Sequence, residues 1–260
     1  MGSMVRVGLD FVRREAISAT FSLVLLAAIA LTDAVRVPGI ARYDLLLVVG
    51  VVTQVVMVWR KMETWLDVLV MALYHGLGLL LETYKVNHGS WSYPEAALTK
   101  IGNVPLYSGF MYASVASYMS VAYRVFRLEF GGWPGKWWSG LALVLVYGQF
   151  FLPAQNLAIR AALAGVIVAV YWRCWVHFDA GGVRLKMPLN VSFGLIGFFV
   201  WVAENWATHF HGWVYPNQLD GWEPVQFSKV LSWSLMVVVS VNILYAYKET
   251  IKGKVKSARP

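Results

Sequence analysis

The sequence predicts an all-α integral membrane protein of about eight transmembrane helices, arranged as two four-helix repeats in the same orientation. Three observations lead there. Hydrophobic residues fill 58% of the 260 positions and charged residues only 14%, against about 25% charged in a typical soluble domain. The apolar residues fall into eight runs close to the length that crosses a bilayer. One signature, Glu-x8-Trp-x-Tyr-Pro, occurs once in each half of the chain.

A helix needs about 20 apolar residues to cross the hydrocarbon core. Lipid cannot hydrogen-bond an exposed backbone, so the spans are expected to be helical. In order they are Ile17–Val35, Tyr43–Trp59, Trp65–Thr83, Val104–Tyr123, Trp138–Leu152, Leu157–Trp175, Pro188–Trp206 and Val225–Tyr247. The fifth is the shortest, and Gln149, Pro153 and Gln155 interrupt it. Met1-Gly2-Ser3 reads as an expression scar ahead of Met4, and no cleaved signal peptide is evident. Val5 to Glu15 alternates apolar and basic residues, which fits either an interfacial segment or a frayed terminus. Residues 1–16 are thus scar plus interfacial stretch, the repeats cover approximately 17–127 and 138–249, and 248–260 is a basic cytoplasmic tail. The whole chain is one membrane domain.

The formal charge is +8. The basic residues lie between apolar runs and not in one patch, so they read as topology signals, with no nucleic-acid partner implied. With the N-terminus inside, 16 of the 22 Lys and Arg face the cytoplasm, which places both termini there. The single cysteine, Cys174, excludes an internal disulfide and a multi-Cys metal site.

The two signatures, Glu82 to Pro94 and Glu204 to Pro216, align without a gap at an offset of 122 residues. Four spans per half is an even number, so the repeats share one orientation about a pseudo-twofold axis along the membrane normal. Both signatures then emerge on the non-cytoplasmic face.

Glu82 and Glu204 sit in the last turns of their spans. One reading is an interfacial Glu, with Lys85 one turn on as the partner of Glu82. The other is a pair of acids in a polar pocket, one protonated and one ionised, able to act as acid and base. His75 precedes Glu82 by two helical turns on the same face; it is read either as a proton relay or as a plain interhelical hydrogen bond. His88, His209 and His211 lie in loops without a firm ligand set, so no metal is expected. Trp91, Tyr93, Trp213 and Tyr215 fit an aromatic membrane belt or a substrate wall that stabilises positive charge. Pro94 and Pro216 end the excursions. Tyr112 with Ser108, Ser114, Ser117 and Tyr118 in the fourth span, and Ser228, Ser232 and Ser234 in the eighth, suit close helix packing. Lys229 either snorkels or binds an anion. No phosphate loop, nucleophile elbow or dinucleotide loop occurs, so no cofactor is expected.

The stretch Glu82 to Pro94, the run Ala97-Leu-Thr-Lys-Ile-Gly-Asn-Val-Pro-Leu, Ser108-Gly-Phe-Met-Tyr, Ile196-Gly-Phe-Phe and Glu204-Asn resemble the YoaT-like family of bacterial membrane proteins over nearly the whole chain. That family is of unknown function. The resemblance implies a multi-pass protein of the bacterial inner membrane. Glu82-x3-Val86-x2-Gly89, then Tyr93 and Gly102-x-Val104-Pro105-Leu106, is also similar to membrane carotenoid hydratases and, in style, to small lycopene cyclases; Gly212-Trp213-x-Tyr215 echoes them. Those enzymes protonate an isoprenoid double bond with a membrane-embedded acid, which implies acid/base roles for Glu82 and Glu204. The chain departs from them in lacking the glycine before the second tyrosine cluster and in having Glu for their second-half Asp.

The expected function is therefore an enzyme acting on an isoprenoid-like membrane lipid, of cyclase, hydratase or isomerase type. Its catalytic residues would be Glu82, Glu204 and His75. Substrate would meet Trp91, Tyr93, Trp213, Tyr215, Asn205, Tyr112 and Lys229. The alternative is a proton-coupled transporter or channel with symmetric Glu sites. The oligomeric state is open.

Overall fold

The computed structural model of the protein describes residues 2–152 and 157–257; Pro153 and Gln155 of the fifth apolar run, and the end of the tail, lie outside them. The chain is mostly helical, and each of the eight apolar runs carries a helix. The helices are α1 (Gly2–Ser18), α2 (Thr20–Ala34), α3 (Arg42–Trp59), α4 (Trp65–Asn87), α5 (Tyr107–Val125), α6 (Lys136–Gln149), α7 (Leu157–Val170), α8 (Leu189–His209) and α9 (Lys229–Ser257).

Four of these, α3, α4, α8 and α9, are long and apolar enough to cross a membrane; α1 and α2, bent by 67° at their junction, make a fifth if counted as one span. The expectation of eight is not reached on those criteria. Fourteen residues in each of α6 and α7 rise only about 21 Å, short of the ~30 Å core. The middle of the bundle is α5, whose Ala113, Ala116, Ser117 and Ser120 are buried. Small side chains let it touch α1, α2, α3, α4 and α9 at once. The most extensive helix interfaces are α4 with α5 and α8 with α9.

The all-α expectation is corrected by two small sheets. Strands β1 (Lys100–Ile101) and β2 (Val104–Pro105) form a hairpin turning at Gly102, φ +61°. Strands β3 (Glu129–Gly131), β4 (Trp175–Ala180) and β5 (Val183–Pro188) form an antiparallel sheet in that order. The predicted sixth span therefore stops at Val170, five residues early. The cause is local. Val176, Phe178 and Ala180 alternate inward along β4, and Gly181 and Gly182, at φ +60° and +82°, supply the left-handed pair that a two-residue hairpin turn needs.

That turn holds α1. A side chain at Gly181 would lie 2.7 Å from Val7 Cα, and the Gly181 amide donates to Asp10 at 2.8 Å. Phe11 packs on Phe126 and Phe178. The opening segment is thus a helix docked on the sheet and on α5, and not a frayed terminus. Lys248, the first residue of the expected tail, is held against the bundle. It lies 3.5 Å from Asp67, which also pairs with Arg124 at 2.6 Å. Asp67 itself closes the capping box of α4 with Thr64. These contacts tie the start of α4 to the ends of α5 and α9.

At the opposite end Arg42 does the corresponding work. Its buried guanidinium donates to Ile29 O at 2.8 Å, Phe210 O at 2.5 Å, His211 O at 2.9 Å and Glu95 at 2.8 Å. It supplies donors to the Phe210 and His211 carbonyls just past the end of α8 and adds one to Ile29 O of α2. The two signature segments begin and return at this end.

Candidate functional site

Glu82 is carried on the last turns of α4 and Glu204 on the last turns of α8; they are 2% and 3% exposed. A buried carboxyl must find donors, and each signature supplies them by folding back over its own helix. The Trp91 indole and the Tyr93 hydroxyl both donate to Glu82 Oε2, at 2.7 and 2.8 Å. Tyr112 of α5 donates to Oε1 at 2.9 Å. In the other half Tyr215 donates to Glu204 Oε1 at 2.6 Å. The Trp233 indole of α9 donates to Oε2 at 2.7 Å. Tyr93 and Tyr215 thus serve their glutamates at the same eleven-residue spacing.

The segments also meet each other. Ser92 and Val214, 122 residues apart, form an antiparallel bridge, N–H to O at 2.9 Å one way and 3.0 Å the other. Trp91 packs edge-on to Tyr215 at 5.9 Å between ring centres. Glu82 and Glu204 are linked through these two rings, Trp91 donating to the first and Tyr215 to the second.

Both line a single cavity of about 150 Å³, walled by α2, α4, α5, α8 and α9, with Tyr147 of α6. Apart from the two acids its surface is chiefly aliphatic and aromatic: Leu25, Ile29, Met111, Tyr112, Trp213, Tyr215, Trp233 and Met236 contribute. The signature aromatics face inward, with Tyr93 4% and Trp213 and Tyr215 each 8% exposed. Trp91, Tyr93 and Tyr215 are placed to donate to the acids and Trp213 to line the cavity, which suits an outer membrane belt less. Two carboxyl groups on an apolar wall can exchange protons with a bound molecule, and the ring faces beside them favour positive charge.

The remaining expected residues divide. Tyr112 lines the cavity. Lys229 stands beside it, its Nζ 4.7 Å from the Tyr215 ring centre and 5.6 Å from that of Trp91. His75 is not brought to Glu82. Two turns separate them by about 10.5 Å along the helix, and Tyr112 occupies the intervening face, against Gly78. His75 instead fills the notch at Gly109 and meets Phe110 edge-on at 4.7 Å. Asn205 is turned to the backbone, donating to Trp201 O and accepting from Val225 N. The interfacial pairing of Glu82 with Lys85 is not formed, because Trp91, Tyr93 and Tyr112 take the carboxylate. His88 contacts Tyr84 O, His211 pairs with Asp33 and His209 packs on Trp222; no cluster of metal-ligating side chains occurs among the described residues.

Two contributors were not anticipated from the sequence. Trp233 lies 29 residues after Glu204, a spacing that carries no local signal. Tyr107 buttresses Tyr93 edge-on at 6.0 Å and donates to Gly212 O; only its place beside Pro105-Leu106 in the quoted motif could have drawn attention to it.

Residues 8–241 match the family described as Protein of unknown function (DUF817). The chain is 45% identical over 235 residues to the Uncharacterized protein YoaT of Bacillus subtilis (strain 168), a match covering 90% of this chain and 89% of that relative. No solved structure matches. The resemblance to the YoaT-like family is thereby borne out, and it brings no activity with it.

Proposed function

We propose a function for a chain that belongs to the DUF817 family of proteins of unknown function: an integral membrane enzyme acting on an isoprenoid-like lipid by carboxylic-acid general acid/base chemistry. The observation that carries this reading is the placement of two buried carboxyl groups on one otherwise apolar cavity. A cavity of about 150 Å³ takes a group the size of benzene, which is one isoprene-sized piece of a longer chain.

In this reaction one carboxylic acid transfers its proton to an alkene carbon. The carbocation left on the neighbouring carbon lies against the faces of Trp213, Tyr215 and Trp233. The other carboxylate then removes a proton from an adjacent carbon, giving a cyclised or isomerised alkene. Alternatively it takes a proton from water as the water oxygen bonds to the cation, giving an alcohol. Either way one acid loses a proton and the other gains one, and exchange with solvent resets the pair. The residues in contact with the reacting group are the two glutamates; Trp91, Tyr93 and Tyr112 position Glu82.

The membrane arrangement is part of the same proposal: eight crossings by α2 to α9, two four-helix repeats in one orientation, and both termini on the cytoplasmic side of a bacterial inner membrane. The reciprocal bridge between Ser92 and Val214 supports a twofold relation, since positions 122 residues apart are those such an axis would pair.

Lipid extracts from cells with and without the protein test the reading. A polyprenoid changed by loss of the protein, and not restored by Glu82→Gln, is expected; an extract unchanged across a panel of supplied polyprenoids overturns it. The second reading, proton-coupled transport, rests on the same bridged halves, which is how paired-repeat transporters are built. Uptake of a polar solute into proteoliposomes that is lost in Glu82→Gln plus Glu204→Gln favours it.

A further inference from the structure

We infer that Lys85, Arg160 and Lys229 form a binding site for a phosphate-type anionic headgroup at the mouth of the glutamate cavity. This rests on the lipid reading above and names the class of lipid: an isoprenoid carrying a phosphate or diphosphate. Three helices bring the cations together. Lys85 lies one turn beyond Glu82 on α4, Arg160 is in the first turn of α7, and Lys229 opens α9. Arg160 donates through Nη1 to Ser232 Oγ at 2.7 Å, and Ser232 is one turn from Lys229 on the same face of α9. Lys229 Nζ stands 5.6 Å from the ring centre of Trp91, whose indole donates to Glu82, one turn before Lys85.

The cluster is under-neutralised. Lys85 is 4% and Arg160 8% exposed. Arg160 Nε has no hydrogen-bond partner among the described residues. The Lys85 ammonium meets only the Tyr84 ring, at 5.7 Å, with no hydrogen bond or ion pair to it among the described residues. Lys229 Nζ donates to the Tyr215 hydroxyl at 3.4 Å, and the Glu82 and Glu204 oxygens are already taken by Trp and Tyr donors. Even with both glutamates ionised, three cations exceed two anions. Buried charge without a counter-charge is costly, and a cation in the first turn of α9 runs against the helix dipole. An anion bound among the three relieves each of these costs, and phosphate oxygens suit the planar donors of arginine.

The geometry also fits one ligand. With its head on Lys85, Arg160 and Lys229, the chain beside the head passes Trp91 and Tyr215 and enters the cavity where the two acids stand. Direct binding to the purified full-length protein in detergent tests this, read by tryptophan fluorescence and using farnesyl phosphate, farnesol and inorganic phosphate as probes. Farnesyl phosphate is expected to bind at least roughly tenfold more tightly than farnesol. That advantage should shrink with added salt and vanish in Lys85→Met and in Arg160→Met. Inorganic phosphate should compete with farnesyl phosphate and leave farnesol binding unchanged.

Equal binding of farnesyl phosphate and farnesol by the unaltered protein overturns the anion site and leaves the lipid reading standing. Binding of inorganic phosphate with no gain from the farnesyl chain supports the anion site, assigns it to a free anion and removes the lipid reading. The unaltered protein decides these outcomes, so a variant that fails to fold does not affect them. Lys229→Arg, which keeps the charge, is expected to retain the preference for farnesyl phosphate.

Discussion

Trp91 stands edge-on to Tyr215, and each donates to a different glutamate: the indole to Glu82, the phenol to Glu204. The pair is therefore a direct physical link between the two acids. Replacing both rings by leucine, singly and together, is expected to give a coupling energy of about 0.5–1.5 kcal/mol in a double-mutant cycle of thermal stability. Additive losses would mean the rings do not sense each other.

The approach of α4 to α5 and of α8 to α9 is set by two glycines with different tolerance. A Cβ at Gly78 would meet the Tyr112 ring at 2.5 Å, whereas one at Gly197 would meet Ser234 Cα at 2.7 Å. A ring can swing away; backbone cannot. Gly78→Ala is expected to displace Tyr112 from Glu82 at a cost of about 1–3 kcal/mol, and Gly197→Ala to lower the melting temperature further.

Arg42 joins α2, α8 and Glu95 through five donated hydrogen bonds, counting one to Thr32. Arg42→Met removes the donor from the buried Phe210 and His211 carbonyls and leaves Glu95 with Arg36 alone. A loss of about 3–5 kcal/mol is expected, seen as a fall in melting temperature in detergent. A variant as stable as the parent would show these bonds to be dispensable.

Glu95 gives a pH signature in the loop outside the helices. Burial works against its charge, but hydrogen bonds from Arg36 and Arg42 outweigh burial and hold its carboxyl below the ordinary value of 4.5. The stability it contributes is therefore full above about 4.5 and is lost as pH falls through the lower folded value. Glu95→Gln is expected to melt below the parent at neutral pH and to converge with it in acid. A gap that persists undiminished in acid would contradict that origin.

Helix positions were legible because apolar runs of this length leave little alternative, and all eight runs contain a helix. The glutamates and their Trp and Tyr donors within each signature were legible because the contacts are local and repeated. What the sequence hid was long-range or subtle. Trp233 reaches Glu204 only because α9 packs on α8, and Arg42 finds its carbonyls only once α2 and α8 end side by side. His75 shared a face with Glu82 on a helical wheel, but a wheel omits the rise along the axis. The β4–β5 hairpin had a signal in Gly181-Gly182 between alternating residues, masked by the apolar run that flows into Trp175.

The central claim is that the two glutamates exchange protons with an apolar substrate in the shared cavity. Incubation of the purified protein with a panel of polyprenoids in heavy water, followed by mass spectrometry of the recovered lipid, tests it most directly. The account predicts solvent deuterium on an alkene carbon of at least one lipid, and none with Glu82→Gln plus Glu204→Gln. No incorporation into any lipid that the folded protein demonstrably binds, or undiminished incorporation by the double variant, would contradict it.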